Sequence, residues 1–401
     1  MPELLEIVGQ DPAVAQLQRA INASRMPHAF LFAGPEGVGR ETTAVALAKT
    51  LLCEQPVSML PGAAAPSGTS TAGRFADLPE GFTLRQACGH CRECRSIEAG
   101  SHGDVHRVYK ELARYHDDPS VRSRVLQELG IDVIRSFLID PAGRAAMRGR
   151  GKVFIVRQAD LMSVAAQNAL LKTLEEPPRG VTIILLCERP EQMLPTTLSR
   201  CWVVHFNLLP REFVTQQLLA GGIDAVEAEF WASFTGGSVG RSLLLAKMGI
   251  YELKKDVLAK IVSACSGKEG DLGEKLAGEM DKLADIAMKI AKDSDGVDLS
   301  KNLAVRQSAG AMLEIISSAY VDAIHLRCGL AGQGAIGAMV NSDQADVIGF
   351  LAQRFGPTAL AEIIDQLSDL EQLLWRNIAA KIAWDNVVIT CTSGSPLGME
   401  P

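Results

Sequence analysis

A glycine-rich loop that follows an apolar run and opens an apolar-periodic helix constrains this chain more than any other segment. The run covers residues 29–33, and the loop carries Gly34, Gly37 and Gly39. This order of strand, loop and helix is the context of a phosphate loop, in which backbone N–H groups at a helix N-terminus cradle an anion. The sequence therefore predicts an α/β unit built around such a loop.

Two side chains of the loop differ from those that handle a nucleotide. Arg40 stands where a lysine reaches the β- and γ-phosphates, and Glu41 stands where a hydroxyl holds Mg²⁺. A carboxylate about 4 Å from a phosphate charge costs on the order of 4 kcal/mol at an effective dielectric near 20. This cost outweighs a few backbone hydrogen bonds of roughly 1 kcal/mol each. We therefore predict a structural loop that does not bind ATP productively; a glycine-rich turn unrelated to nucleotides is the alternative.

A second nucleotide-handling element is expected after the apolar strand pattern at residues 153–156. Such a buried parallel strand should end in Asp-Glu, of which one acid orients Mg²⁺ and the other activates water. Arg157 and Gln158 occupy these two positions. Two separate elements, the loop and the strand end, have therefore both lost the side chains that bind Mg²⁺ and the nucleotide. We interpret the phosphate site as degenerate.

Composition limits the remaining classes of function. The chain has 401 residues, 47% of them apolar and 5% aromatic, and a net charge of −7, which predicts a soluble, helix-rich protein of two or three domains. The acidic balance argues against nucleic-acid binding through a dedicated basic face. No signal peptide is recognised at the N-terminus and no apolar stretch approaches the length of a membrane span, so we expect a cytoplasmic protein.

A group of cysteines predicts a metal site. Of nine cysteines, Cys88, Cys91 and Cys94 lie within seven residues, and Cys53 ends the helix predicted after the loop. Zinc takes four tetrahedral soft ligands, and a closed site of this kind is structural. We predict a Cys₄ zinc site; His90 is an alternative ligand. The spacer at residues 54–81 is rich in Pro, Gly, Ala, Ser and Thr and is predicted to be a flexible insertion that cannot bury a core.

Four short segments carry a resemblance to a known family. They are Val8-Gly9-Gln10, His28-Ala29-Phe30, the run Asn-Ala-Leu-Leu-Lys-Thr-Leu-Glu-Glu-Pro-Pro at residues 168–178, and Ser199-Arg200-Cys201. In these segments the chain resembles the clamp-loader subunits of bacterial DNA polymerase III, which belong to the AAA+ group. The resemblance is specific over residues 5–53, 85–107 and 130–248, and over 250–390 it extends only to the architecture.

The resemblance implies an α/β AAA+ fold, in which a RecA-like parallel sheet has helices on both faces. The implied parts are a RecA-like domain (1–207) with an inserted zinc module (53–94), a three-helix lid (208–248), an all-α collar (249–391) and a disordered tail (392–401).

Three further residues take their expected roles from the resemblance. Arg200 corresponds to an arginine finger that acts in trans on the ATP of a neighbouring subunit; a structural salt bridge is the alternative. An arginine at the γ-phosphate can contribute about 10³–10⁵ in rate. Arg241 occupies the second sensor position, where, without a competent loop, it is expected only to brace the lid. Cys187 stands where a polar side chain that senses the γ-phosphate is expected, so a third nucleotide-handling residue has been replaced.

Together these observations predict a non-hydrolysing, stator-like subunit that is no enzyme by itself. The resemblance implies a five-subunit ring with ATPase subunits of the gamma/tau type and a delta subunit, a sliding clamp and primed DNA as partners, and no membrane. One alternative is an ATP-hydrolysing motor subunit of the same loader. The other is a zinc-containing DNA-binding module on an AAA+ fold.

This interpretation gives no role to several charged and polar segments. Residues 111–129 are predicted to form a charged helical insertion. Three residues are expected at the surface or in turns: His102, Asp104 and His106. Four basic residues are expected in a solvated loop, with contact to DNA as the alternative: Arg144, Arg148, Arg150 and Lys152.

Overall fold

The computed structural model describes residues 1–401 except 24–25, 64–70, 72, 76, 80, 123–127, 149, 268–270, 296–298, 331–338, 375–379 and 394–401. The chain divides into two compact units, Met1–Pro210 and Arg211–Pro401. Among the described helices of both units, none is long and apolar enough to cross a membrane.

Five parallel strands form the central sheet of the first unit. The strands of the unit are β1 (Ala29–Ala33), β2 (Val57–Met59), β3 (Leu84–Gln86), β4 (Val105–Val108), β5 (Lys152–Val156), β6 (Val181–Cys187) and β7 (Trp202–His205). The sheet has the order β4-β5-β6-β1-β7, and β2 pairs with β3 in a separate antiparallel ribbon. Strands β1 and β5 are buried at every position, as expected for parallel strands that are covered on both faces.

Helices cover both faces of this sheet. They are α1 (Asp11–Asn22), α2 (Arg40–Leu52), α3 (Arg92–Glu98), α4 (Pro119–Arg122), α5 (Ile131–Ile134), a π-helical turn (Arg135–Ile139), α6 (Asp140–Ala142), α7 (Val164–Glu175) and α8 (Pro195–Leu198). Alternate residues of β1 enter two separate cores: Phe30 and Phe32 pack with α1 and α2, whereas Leu31 packs with α5 and α7. The predicted parallel sheet with helices on both faces is confirmed, and the arrangement fits the AAA+ fold.

The insertion at residues 54–81 differs from the expectation in its described part. Phe75 and Leu78 are buried in the core beside α1 and α2. Arg74 donates to the Leu5 carbonyl (2.7 Å) and to the Asp11 carboxylate (3.0 Å from Nε). A segment with a polar, glycine-rich average composition can therefore still dock through a few large side chains. Residues 64–70 lie outside the described part, and flexibility of the insertion stays a prediction.

The charged segment at residues 111–129 covers the second core. Ala113, Val121 and Leu129 are buried there, and the Leu129 N–H donates to the Leu161 carbonyl (2.8 Å). Its described helices are the 3₁₀ turn Lys110–Tyr115 and the short α4. The insertion therefore acts as a cover for the face of the sheet that carries α5 and α7.

Helices make up most of the described residues of the second unit. Its helices are α9 (Arg211–Ala220), α10 (Ala225–Phe234), α11 (Val239–Lys247), α12 (Ile250–Cys265), α13 (Leu272–Asp295), α14 (Lys301–Arg327), α15 (Ala345–Arg354), α16 (Pro357–Leu374) and α17 (Ala380–Ser393). The division of this unit into a lid (α9–α11) and a collar (α12–α17) stays a prediction. The predicted tail is helical to Ser393, and residues 394–401 lie outside the described part.

A buried ion pair joins several helices of the second unit. Lys254 of α12 is fully buried, and its Nζ lies 2.7 and 2.8 Å from the carboxylate oxygens of Asp343. The Tyr251 hydroxyl donates to the same carboxylate (2.9 Å), and the Lys254 ammonium lies 3.7 Å from the ring centroid of Phe230 in α10. Burial lowers the pKa of Lys254, and Asp343 opposes this shift. The pair thus ties α10, α12 and the segment before α15 together.

We predict that Asp343→Asn destabilises the second unit by about 3–5 kcal/mol, because it leaves the Lys254 charge buried without a counter-ion. Urea dependence of hydrogen exchange in α12 measures this loss. Lys260→Met, which removes an exposed pair with Asp256, is the matched control and should cost less than about 0.5 kcal/mol. Equal effects of the two variants would contradict the prediction.

Candidate functional site

The glycine-rich loop connects β1 to α2 as predicted. Gly34, Gly37 and Gly39 all have positive φ, at 152°, 74° and 99°. A Cβ on Gly34 would lie 2.2 Å from the Phe206 carbonyl oxygen, so only glycine fits there. The backbone of a phosphate loop is therefore retained, and α2 begins directly after it at Arg40.

Gln10 lies outside the loop and holds the loop in place through hydrogen bonds. The Gln10 amide nitrogen donates to the carbonyls of Val38 (3.2 Å) and Asn207 (2.7 Å), and its amide oxygen accepts from the Asn207 N–H (3.1 Å). Gln10 is 1% exposed. The Val-Gly-Gln segment therefore fastens the loop to the end of β7.

Glu41 forms an ion pair with the arginine at the end of β5. The distance from Glu41 Oε2 to Arg157 Nε is 3.1 Å, and from Glu41 Oε1 to Arg107 Nε it is 3.9 Å. Two positions that hold Mg²⁺ between them in a working site are here occupied by charges that bind each other. Sequence reasoning identified both changes separately but not their contact, because the residues are far apart in the chain.

Acidic groups surround Arg40 at the carboxyl edge of the sheet. Burial lowers the pKa of Arg40, whereas the charges of Glu188, Glu36 and Asp160 raise it. Asp160 also accepts from the Glu188 N–H (3.2 Å) and pairs with Arg189 (Nε to Oδ2, 3.4 Å). The positive charge at the phosphate position is therefore balanced within the protein.

Gln158 and Cys187 lie at the ends of the neighbouring strands β5 and β6. Gln158 has left-handed backbone angles (φ 51°, ψ 50°), which cost free energy in a residue other than glycine. Cys187 is fully buried, and burial raises the pKa of its thiol to about 12. A protonated, buried thiol is a poor partner for a γ-phosphate.

Arg200 lies after α8 and folds back onto its own chain. Its Nε donates to Glu175 Oε1 (2.8 Å), and Nη2 pairs with the same carboxylate. Its Nη1 donates to the Thr196 carbonyl (2.7 Å) and to Ser199 Oγ (3.3 Å). The side chain is 32% exposed, so the arginine remains accessible from solvent.

Arg241, which was expected at a second sensor position, contacts residues of the second unit. Its Nη2 pairs with Glu314 of α14, and its guanidinium carbon lies 5.8 Å from the ring centroid of Phe234. The arginine thus connects α11 to α14. This contact suits the expected role as a brace.

Four cysteines converge as the sequence predicts. The Sγ atoms of Cys53, Cys88, Cys91 and Cys94 all lie within 4.8 Å of one another, and the Cys53–Cys91 distance is 3.9 Å. Zn–S bonds of about 2.3 Å in a tetrahedron place the sulfurs about 3.8 Å apart. His90 is exposed and its Nδ1 lies 2.8 Å from the Cys88 carbonyl, so it is outside the cluster.

Backbone N–H groups surround these sulfurs. The N–H of Cys88 donates to Cys53 Sγ (3.3 Å), that of Cys91 to Cys88 Sγ (3.3 Å) and that of Cys94 to Cys91 Sγ (3.4 Å). Such donors stabilise thiolates and orient metal ligands. The donor set therefore fits a zinc ion.

Local structure explains how the long spacer is accommodated. Cys53 directly follows α2, and Cys91 is the N-cap of α3. Between them, β2 and β3 pair with Val57 opposite Gln86, which returns the chain to the end of α2. The length of the spacer therefore does not affect the distance between its ends.

A buried polar network beside the cysteines was missed by sequence reasoning. His102 and Asp104 are 5% and 0% exposed, so the expectation of a surface position is wrong for both, although they lie in a turn closed by the Val105 N–H and the His102 carbonyl (3.2 Å). His106 lies in β4 and is half-buried. His102 Nε2 lies 2.6 Å from Glu93 Oε2, and its Nδ1 accepts from the Asp104 N–H (3.0 Å). The Asp104 carboxylate accepts the N–H groups of Met147 (2.8 Å) and Arg148 (2.9 Å).

The basic loop before β5 is used within the protein. Arg148 Nη1 donates to Glu93 Oε1 (2.9 Å), Arg150 Nη1 to the Cys53 carbonyl (2.8 Å) and Lys152 Nζ to the Pro141 carbonyl (2.7 Å). The expectation of a solvated loop is wrong for Lys152, which is buried in β5. Arg144, Arg148 and Arg150 are exposed as expected, although Arg148 and Arg150 also donate to acceptors within the protein.

Comparison with known proteins identifies the family. Residues 9–77 and 69–210 match the family model described as DNA polymerase III, delta subunit, and residues 285–382 match the model for its C-terminal part.

The chain is 33% identical over 205 residues to the DNA polymerase III subunit gamma/tau of Mycobacterium tuberculosis, which covers 51% of the chain and 28% of the relative. It is 26% identical over 254 residues to the subunit delta' of Bacillus subtilis, covering 63% and 64% of the two chains. It is 30% identical over 207 residues to the subunit delta' of Escherichia coli, covering 52% and 50%. The match spans less than two thirds of each relative. The family match nevertheless covers half of this chain, and the chain belongs to the DNA polymerase III delta-subunit family, among the delta-prime-like clamp-loader subunits.

Proposed function

We propose that this chain is a non-hydrolysing stator subunit of the polymerase III clamp loader. In this proposal it stands in a five-subunit ring with gamma/tau-type ATPase subunits and a delta subunit, and helps to load the sliding clamp onto primed DNA. It supplies Arg200 to the ATP of its neighbour and hydrolyses none itself.

The ion pair between Glu41 and Arg157 carries the proposal. A hydroxyl and a carboxylate at these positions would coordinate Mg²⁺, whereas here a carboxylate and a guanidinium neutralise each other at 3.1 Å. Magnesium-bound ATP would have to break this pair, leave Glu41 beside the phosphates and place the metal against Arg157. All three changes oppose binding electrostatically.

A motor subunit of the same loader is the second candidate, because the gamma/tau relative has the higher identity of 33%. The charges at Glu41 and Arg157 argue against it. A DNA-binding module is disfavoured by the net charge of −7 and by the internal contacts of Arg148 and Arg150.

We predict that the purified chain shows no saturable, Mg²⁺-dependent binding of a fluorescent ATP analogue. The double variant Glu41→Thr with Arg157→Asp should bind the analogue in the presence of Mg²⁺ and release it with EDTA, since both metal ligands are restored. Fluorescence anisotropy measures both, with each single variant as the control. Mg²⁺-dependent binding by the unchanged chain would support the motor subunit instead.

We predict that Arg200→Ala leaves the fold and ring assembly intact but lowers ATP turnover of the reconstituted complex. The site that receives the arginine should lose up to about 10³-fold in rate. Arg211→Ala, which removes another exposed, ion-paired arginine, is the matched control. Turnover that is equal in both variants would remove the finger assignment.

We further propose that the four cysteines hold one structural zinc ion. Elemental analysis should find about one zinc per chain, and Cys88→Ser should lower this content and loosen the contacts of Arg150 and Glu93 around the module. Cys328→Ser, at an exposed cysteine, is the control and should retain the metal. A metal-free protein with the same thermal stability as the metal-loaded one would contradict a structural role.

A further inference from the structure

All three nitrogens of the Arg200 guanidinium contact groups of its own chain. Of the five N–H donors of an arginine, that on Nε donates to Glu175 Oε1, and Nη1 donates to the Thr196 carbonyl and to Ser199 Oγ. Nη2 forms an ion pair with the Glu175 carboxylate. A phosphate that is bound by two parallel N–H groups therefore requires at least one of these contacts to open.

Glu175 occupies a position that local electrostatics disfavour. It is the last residue of α7, where the negative end of the helix dipole repels a carboxylate and attracts a cation. The pairing with Arg200 offsets this repulsion. A glutamate here has a clear physical partner in the arginine and none in its own helix end.

The Glu175 carboxylate and an incoming phosphate compete for the same donors. Both are anions that approach the guanidinium, so they also repel each other. The side chains of Arg200 and Glu175 are 32% and 49% exposed. Because an exposed pair of this kind is weak, a phosphate that binds with two donors can displace it.

We propose that Glu175 restrains Arg200 on its own chain, and that the triphosphate of a neighbouring subunit releases the finger by displacing the carboxylate. This inference rests on the proposed function of Arg200. It assigns to Glu175 a regulatory role, because its carboxylate holds the Arg200 guanidinium until a phosphate of the neighbouring subunit's ATP competes for it.

The restraint is tested in the reconstituted complex with Glu175→Gln, which keeps the size and the acceptor oxygen but removes the charge. We expect kcat/KM for ATP to rise about two- to five-fold, the range expected for loss of an exposed pair. Glu176→Gln, at the adjacent carboxylate, should leave kcat/KM unchanged. In the Arg200→Ala background, Glu175→Gln should have no further effect.

The isolated chain provides a readout that does not depend on the ring. The Nε–H signal of Arg200, assigned by its loss in Arg200→Lys, should exchange slowly with water in the unchanged chain. It should exchange faster in Glu175→Gln but not in Glu176→Gln. Equal exchange in all three proteins would show that no restraint exists.

Other outcomes separate the two hypotheses. If Arg200→Ala leaves turnover unchanged, the proposed finger fails whatever Glu175 does. If Arg200→Ala slows turnover while Glu175→Gln slows it as well or leaves it unchanged, the finger stands and the restraint is overturned. A rise caused by Glu175→Gln in the Arg200→Ala background also overturns it, because the effect would then bypass the arginine.

Discussion

A salt bridge between Glu41 and Arg157 organises the carboxyl edge of the sheet in the first unit. It links the start of α2 to the end of β5 at 3.1 Å, the same two elements that a magnesium ion bridges in nucleotide sites with this loop. The loop has three glycines with positive φ and a helix that starts at Arg40, while its charges are balanced internally. This cross-link therefore forms without a nucleotide or a metal ion.

Helix α2 also forms ion pairs near its far end, at the opposite edge of the sheet. Glu41 lies in its first turn, the fully buried Lys49 pairs with Glu3 and lies 3.6 Å from Glu98 of α3, and Cys53 follows its last turn. About 20 Å of helix thus connects the degenerate phosphate loop to the cysteine cluster. The helix is thus held by ion pairs near both of its ends.

The cysteine cluster and the basic loop stabilise each other. Arg150 binds the Cys53 carbonyl, and Arg148 binds Glu93, which also contacts His102. The basic loop therefore contacts the module through two arginines that are also exposed to solvent. Its charges serve to attach the module to β4 and β5, in agreement with a module that has a structural role.

The sequence by itself determined the parallel sheet, the loop with its changed side chains, and the four cysteines, because apolar periodicity, glycine positions and ligand spacing are local signals. Only the tertiary structure decided that Glu41 meets Arg157, that His102 and Asp104 are buried, and that Arg200 contacts Glu175. These contacts join residues from different strands and helices, and charged side chains carry no local mark of their partner. The burial of Phe75 shows the same limit: a polar average composition does not reveal whether one large side chain finds a core.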